Sequence, residues 1–175
     1  SPDNRCAYAA DLGLDKLMCY RLQADTAKLS PNRQPFVRTP PGAGPRHLTF
    51  HPNGKHLYAI NELKNSVTLF DYIAESGMLI ERQTISTLPE DFDGKSYCAD
   101  LKITPDGRFL YGLVDFELLK RTPEREERLR AEKRHDYLVR QSGTLLHYQI
   151  LHVRILGLEG GRIAYLPGCR ADVPA

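Results

Sequence analysis

Arg46, His47 and Glu62 are the residues of this chain whose types and spacing could do chemistry. Arg46 is a permanent cation with a rigid fork of donors, suited to an oxyanion, a phosphate or a carboxylate. Glu62 becomes a general base where partial desolvation raises its pKa toward neutral. His47 adds a titratable ring that can orient either group. The plain alternative is that Arg46 and Glu62 form an inter-strand ion pair and that His47 packs under its loop. Other residues offer less. His51 and His56 fall in a turn and read as solvated, with no third ligand at metal-binding spacing. Asp11 and Asp15 read as connection residues between two strands, where short side chains bond nearby backbone. No Ser or Cys stands in a Gly-x-Ser-x-Gly elbow.

These side chains need elements to hold them. Gly42-Ala43-Gly44-Pro45 makes a loop with backbone angles closed to other residues, and it ends at Arg46 and His47. Leu48-Thr49-Phe50 reads as a short strand and Pro52-Asn53-Gly54 as a tight turn. A fixed loop that presents charge beside a buried strand suits a site on a rigid scaffold. The unit recurs. Ser1-Pro2-Asp3-Asn4-Arg5-Cys6-Ala7-Tyr8 returns 50 residues later as His51-Pro52-Asn53-Gly54-Lys55-His56-Leu57-Tyr58. After another 53 it returns as Thr104-Pro105-Asp106-Gly107-Arg108-Phe109-Leu110-Tyr111. Each copy predicts a tight turn feeding a strand that ends in Tyr. Asp11 and Asp15 fall where Asn61 and Asn65 fall in the second copy, and Leu17–Leu22 answers Val67–Tyr72. A period near fifty with about four strands per unit is the signature of a β-propeller. The reading is all-β, a partial propeller of two-plus four-stranded antiparallel blades.

Composition narrows the class. Of 175 residues, 41% are apolar and 26% charged, as in a globular protein with a real core. A net charge of +2 gives no case for nucleic acid or a membrane surface as partner. No apolar run approaches the roughly 18 residues of a membrane span. Cys6, Cys19, Cys98 and Cys169 stand far apart and read as buried free thiols rather than disulfides or a zinc site. The chain begins at Ser1 without a charged-then-apolar leader, and reads as a piece of something longer.

The repeats resemble the lactonase family of seven-bladed β-propellers, which includes bacterial propeller-type 6-phosphogluconolactonases and fungal carboxy-muconate cyclases. The resemblance rests on Asp11-Leu12-Gly13-Leu14-Asp15, Gly42-Ala43-Gly44-Pro45-Arg46-His47-Leu48, Phe50-His51-Pro52-Asn53-Gly54 and Tyr58-Ala59-Ile60-Asn61-Glu62-Leu63. It extends over Thr87-Leu88-Pro89 and Ala99 to Tyr111, and covers residues 1 to about 112. It implies ring opening of a lactone, with Arg46 and Glu62 as the catalytic residues and His47 and Asn61 as substrate-binding residues. The implied substrate is 6-phosphogluconolactone, with a carboxy-muconate lactonising cyclase as the alternative and no cofactor. It implies a cytoplasmic enzyme with a small-molecule lactone as partner. The family's site also uses a His from an upstream blade and an Arg in an Asn-Arg pair after the third repeat. The His would precede Ser1, and Gly112-Leu113-Val114-Asp115 stands where the pair is expected. The chain by itself is therefore expected to be inactive or nearly so. A reading of another class is a non-catalytic fragment that serves as a binding or assembly surface, self-associating through exposed blade edges.

Past Gly112 the repeat stops, which divides the chain into blades over 1–112 and a divergent tail over 113–175. Thr122 and Pro123 suit a helix start, and 123–140 is expected to be an exposed helix carrying mixed charge. Residues 144–158 read as β-like, Gly160-Gly161 as a hairpin turn and Ile163–Leu166 as a last short strand. The break falls in mid-motif. That favours a shifted reading frame or spliced-in tail over a natural end that caps the exposed blade.

Overall fold

The computed structural model describes residues 1–88, 95–116, 152–159 and 162–165. Every regular element among them is a β-strand. The first sheet runs β1 (Cys6–Asp11), β2 (Lys16–Gln23), β3 (Lys28–Arg38). The second runs β4 (Pro45–Phe50), β5 (His56–Asn61), β6 (Ser66–Ile73), β7 (Met78–Ser86). The third runs β8 (Ser96–Ile103), β9 (Phe109–Phe116), β10 (His152–Glu159), β11 (Arg162–Tyr165). All pairings are antiparallel between neighbours in sequence. These all-β antiparallel sheets fit a partial propeller, with three strands in the first sheet where four were expected. The helix expected over 123–140 lies outside the described residues.

Local chemistry explains these strands. Each repeated turn closes with the same bond three residues on, from Asn4, Gly54 and Gly107 N–H to Ser1, His51 and Thr104 C=O. All three donors have positive φ. The side chains of Asp3, Asn53 and Asp106 then accept the N–H of Arg5, Lys55 and Arg108. Turn direction is thereby set by five or six residues, without help from the rest of the fold. β3 carries Pro31 and Pro35, which lack an N–H. It tolerates them because it pairs only with β2 among the described residues, as an edge strand can.

The core lies between the sheets, and strand alternation sorts it. On β5, Leu57 and Ala59 face the first sheet, where they join Leu17, Cys19, Phe70, Tyr72 and Leu79. Tyr58 and Ile60 face the third, with Val67, Leu69, Cys98, Leu101, Leu110 and Val114. The central strands β5 and β6 are therefore buried on both faces, and β5 has no exposed residue. Each fully buried apolar side chain contributes about 1.5–3 kcal/mol, and neither face could be covered by one sheet alone. Cys6, Cys19 and Cys98 are buried free thiols, as expected; Cys169 lies outside the described residues. In sequence the repeat ends at Gly112, but in space β10 and β11 extend the third sheet to four strands. β10 pairs with β9 from His152↔Val114 to Gly157↔Phe109, the place β6 takes beside β5.

Candidate active site

Arg46 and Glu62 meet because two devices act on neighbouring strands. Pro45 pairs with Asn61 and His47 with Ile60, which leaves Arg46 as the extra residue of a β-bulge in β4. A bulge bends its strand and re-aims the side chain it carries. The loop before it is held by the β5–β6 turn. Glu62 N–H donates to Gly44 C=O at 2.7 Å, and Leu63 and Lys64 N–H donate to Ala43 C=O at 3.1 and 3.3 Å. Glycine suits position 44. Its φ is +61°, and a Cβ would stand 2.6 Å from Leu63 Cγ. Arg46 Nη1 then donates to Glu62 Oε2 at 3.1 Å, with the arginine side chain 43% and the glutamate 23% exposed. On its other side Glu62 C=O accepts Cys98 N–H at 3.2 Å, which ties the pair to β8.

His47 is not packed under the loop. It is half-exposed, and its Nδ1 stands 3.9 Å from Asp100 Oδ1 on β8, an ionic contact when the ring is protonated and too long for a hydrogen bond. Partial burial would raise the Asp100 carboxyl. The Lys102 ammonium at 2.8 Å, the Leu101 N–H and His47 outweigh it and hold Asp100 below the ordinary carboxylate range. Asp100 and Lys102 were not singled out by their residue types. The signal lay in the repeat: His47 and Asp100 each stand five residues before the turn proline. Equivalent positions of adjacent inner strands face each other. The bulge recurs too, with Ala99 in β8 where Arg46 stands in β4.

Asn61 is fully buried; its amide N–H groups donate to Ser66 Oγ and Thr68 Oγ1, both at 2.9 Å, and brace the second sheet, while its Oδ1 has no partner among the described residues. His51 and His56 are a correction, since neither is merely solvated. His51 Nδ1 accepts Asn53 N–H, so its Nε2–H donates to Gly107 C=O at 3.1 Å and joins the turns of the second and third sheets. His56 Nδ1 bonds Asp71 on β6 at 3.1 Å. The connection role of Asp11 holds, since it accepts Leu14 N–H; the carboxylate of Asp15 bonds not its own connection but Gly42 and Gly44 N–H, 27 and 29 residues away.

Antiparallel sheets stacked face to face, built on one repeated turn, with a cation–carboxylate pair at the end where the chain passes between sheets, define a repeat-built β-propeller. The chain belongs to the lactonase family of seven-bladed β-propellers, whose sequence model matches residues 1–113. It is 44% identical over 110 residues to a 6-phosphogluconolactonase of Pectobacterium carotovorum and 41% over 111 to one of Klebsiella pneumoniae. Each match takes in 63% of this chain and 33% of the relative, so the chain spans about a third of the length of these relatives. The periplasmic gluconolactonase of Pseudomonas aeruginosa is similar in structure, at TM-score 0.70 and 28% identity over 95% of this chain and 38% of that one. This likeness reaches beyond the residues that the family model matches.

Proposed function

We propose that the chain is part of an enzyme that hydrolyses a sugar-acid lactone, 6-phosphogluconolactone in the first instance. The observation that carries the reading is the Arg46–Glu62 pair at the β4 bulge, in a chain whose relatives are named for that reaction. In the proposed reaction Glu62 takes a proton from water as the oxygen attacks the ester carbonyl. The Arg46 guanidinium holds the oxyanion that forms. Collapse breaks the bond to the ring oxygen, which accepts the proton and opens the ring to the acid. The ion pair engages Oε2 of Glu62, so Oε1 is the atom assigned to the water. Lys102 adds a cation, and His47 a half-exposed ring nitrogen, for a phosphate or carboxylate on the substrate. The family's further His and Arg are not matched here, so binding is measured beside rate. A cytoplasmic location belongs to the same proposal. The P. aeruginosa protein, titled periplasmic, marks the alternative compartment.

The test is titration of the chain with 6-phosphogluconate and with gluconate, alongside hydrolysis of 6-phosphoglucono-δ-lactone against its spontaneous opening. The expected result is shifts at Arg46 and Glu62, larger for the phosphorylated acid and lost in Arg46→Gln. Preference for a carboxy-muconate ligand would favour the cyclase alternative. Shifts that survive Arg46→Gln would remove the assignment. A second reading, an assembly surface, rests on β1, since no strand among the described residues pairs with its outer edge. It requires dimers in sizing chromatography, and a monomer at every concentration rejects it.

A further inference from the structure

We propose that Asp15, in the turn between β1 and β2 of the first sheet, is the positioning residue that fixes Arg46 in the second. The proposal rests on the reading of Arg46 and Glu62 as a lactone-binding pair. Asp15 grips the loop that leads into β4. Its Oδ2 accepts Gly42 N–H at 2.6 Å and its Oδ1 accepts Gly44 N–H at 2.8 Å. Its backbone C=O accepts Thr39 N–H at 3.0 Å, so one residue holds both the start and the end of the loop. The peptide groups of Gly44 are clamped from two sides, its N–H by Asp15 and its C=O by Glu62 N–H at 2.7 Å. Arg46 leaves the backbone two residues later, at the bulge. The Asp15 carboxylate, the Gly44 peptides and Glu62 form one continuous run of bonds from the first sheet to the pair.

Comparison within the repeat explains the residue type. Asn65 holds the same place in the second sheet. It too has positive φ, +45° against +52° at Asp15, and its C=O accepts Thr87 N–H at 2.7 Å. Its amide, however, donates to Ser96 C=O at 2.9 Å. The backbone device is shared, but the Asn65 side chain donates to backbone, and its oxygen accepts only the Cys98 thiol among the described residues, where Asp15 accepts two backbone N–H groups. Where two N–H groups converge, a carboxylate can give each its own oxygen and adds a negative charge, whereas an amide has only one oxygen. The bonds from Gly44 and Gly42 and the nearby Lys64 ammonium hold the Asp15 carboxyl below its ordinary range. The clamp therefore stays charged at neutral pH.

The test uses the 175-residue chain and Asp15→Asn, which keeps the left-handed backbone because Asn tolerates it, but removes one acceptor and the charge. Three readouts apply: the amide resonances of Gly42 and Gly44, hydrogen exchange at Arg46 Nε–H, and 6-phosphogluconate affinity. In the wild type, the two glycine amides and Arg46 Nε–H should titrate together on acidification, with a midpoint below 3.8. In Asp15→Asn the glycine amides should move upfield, Arg46 exchange should quicken and affinity should fall about tenfold, with only a small drop in melting temperature. Asp15→Glu should recover part of the loss. Glycine amides that ignore acid or the substitution would overturn the proposal. So would an Arg46 signal unmoved when those amides do move. The wild-type titration needs no variant and decides even if Asp15→Asn folds poorly. If Arg46→Gln and Glu62→Gln leave 6-phosphogluconate binding intact, the lactone reading fails, while the glycine and Arg46 signals still judge Asp15.

Discussion

At the residue scale, the Arg46–Glu62 contact adds little to stability, which suits the functional role proposed for it. Both side chains are partly exposed, and such pairs add about 0–1 kcal/mol to stability. Arg46→Gln should therefore leave urea unfolding almost unchanged. Removing one donor to an oxyanion costs about 10²–10³-fold in rate, and that loss is expected in whatever lactone opening the protein supports. A variant that loses activity only in proportion to lost fold would contradict the assignment. The thiols behave oppositely. Burial pushes Cys19 and Cys98 up to about 11, and the Thr87 hydroxyl offsets it only in part at Cys98. Neither should react with an aromatic disulfide at pH 8 until denaturant is added. Rapid labelling in native buffer would show that the sheets part more readily than their packing implies.

At the element scale, the turns were legible and their partners were not. Pro, Asp or Asn, and a residue tolerating positive φ specify the bonds at Asn4, Gly54 and Gly107 within one turn. His51 looked solvated because its acceptor, Gly107, lies 56 residues away. Asn61 ends β5 fully buried, whereas Glu62, the first residue of the turn that follows, is partly exposed. The bulge at Arg46 was also hidden, since register comes from both strands of a pair. Gly44→Ala tests the loop. It combines a strained φ with a Cβ 2.6 Å from Leu63 Cγ, and should destabilise by about 1–3 kcal/mol in urea unfolding. A neutral result would mean that the loop is not held as tightly as its bonds indicate.

At the scale of the whole molecule, stability depends on stacking of sheets. Leu69→Ala opens the face between the second and third sheets and should cost about 2–5 kcal/mol, while the exposed Leu14→Ala should be close to neutral. The charges set a pH range. Asp3 and Asp106 in the repeated turns, Asp15 in its loop and Asp100 beside His47 are all held below 3.8. At Asp3 desolvation opposes the shift and bonds from Ser1, Arg5 and Tyr72 override it. At Asp106 the Thr104 hydroxyl leads. A depressed carboxyl stabilises fully above its unfolded value and loses that stabilisation as pH falls through its folded value. Buried Cys19 and Cys98 work the other way, stabilising below 9.0 and losing the effect as pH rises toward about 11. Melting temperature should be flat from about pH 4 to 9 and fall on both sides. A decline beginning near pH 6 would point to groups other than these.

By itself the sequence determined what depends on near neighbours: three copies of one turn, strands of alternating pattern, and the family to which Gly-Pro-Arg-His and Asn-Glu-Leu point. Those features follow from φ preferences and side-chain bonds that close within a few residues. Only the tertiary structure decided which charges face each other. Asp100 meets His47 because two repeats stack inner strand against inner strand. Asp15 reaches Gly44 across the boundary between two sheets. Likewise, β10 and β11 share no repeat motif with the blades, yet they extend the third sheet. Backbone pairing needs a free strand edge and suitable register, neither of which is written in residue identity.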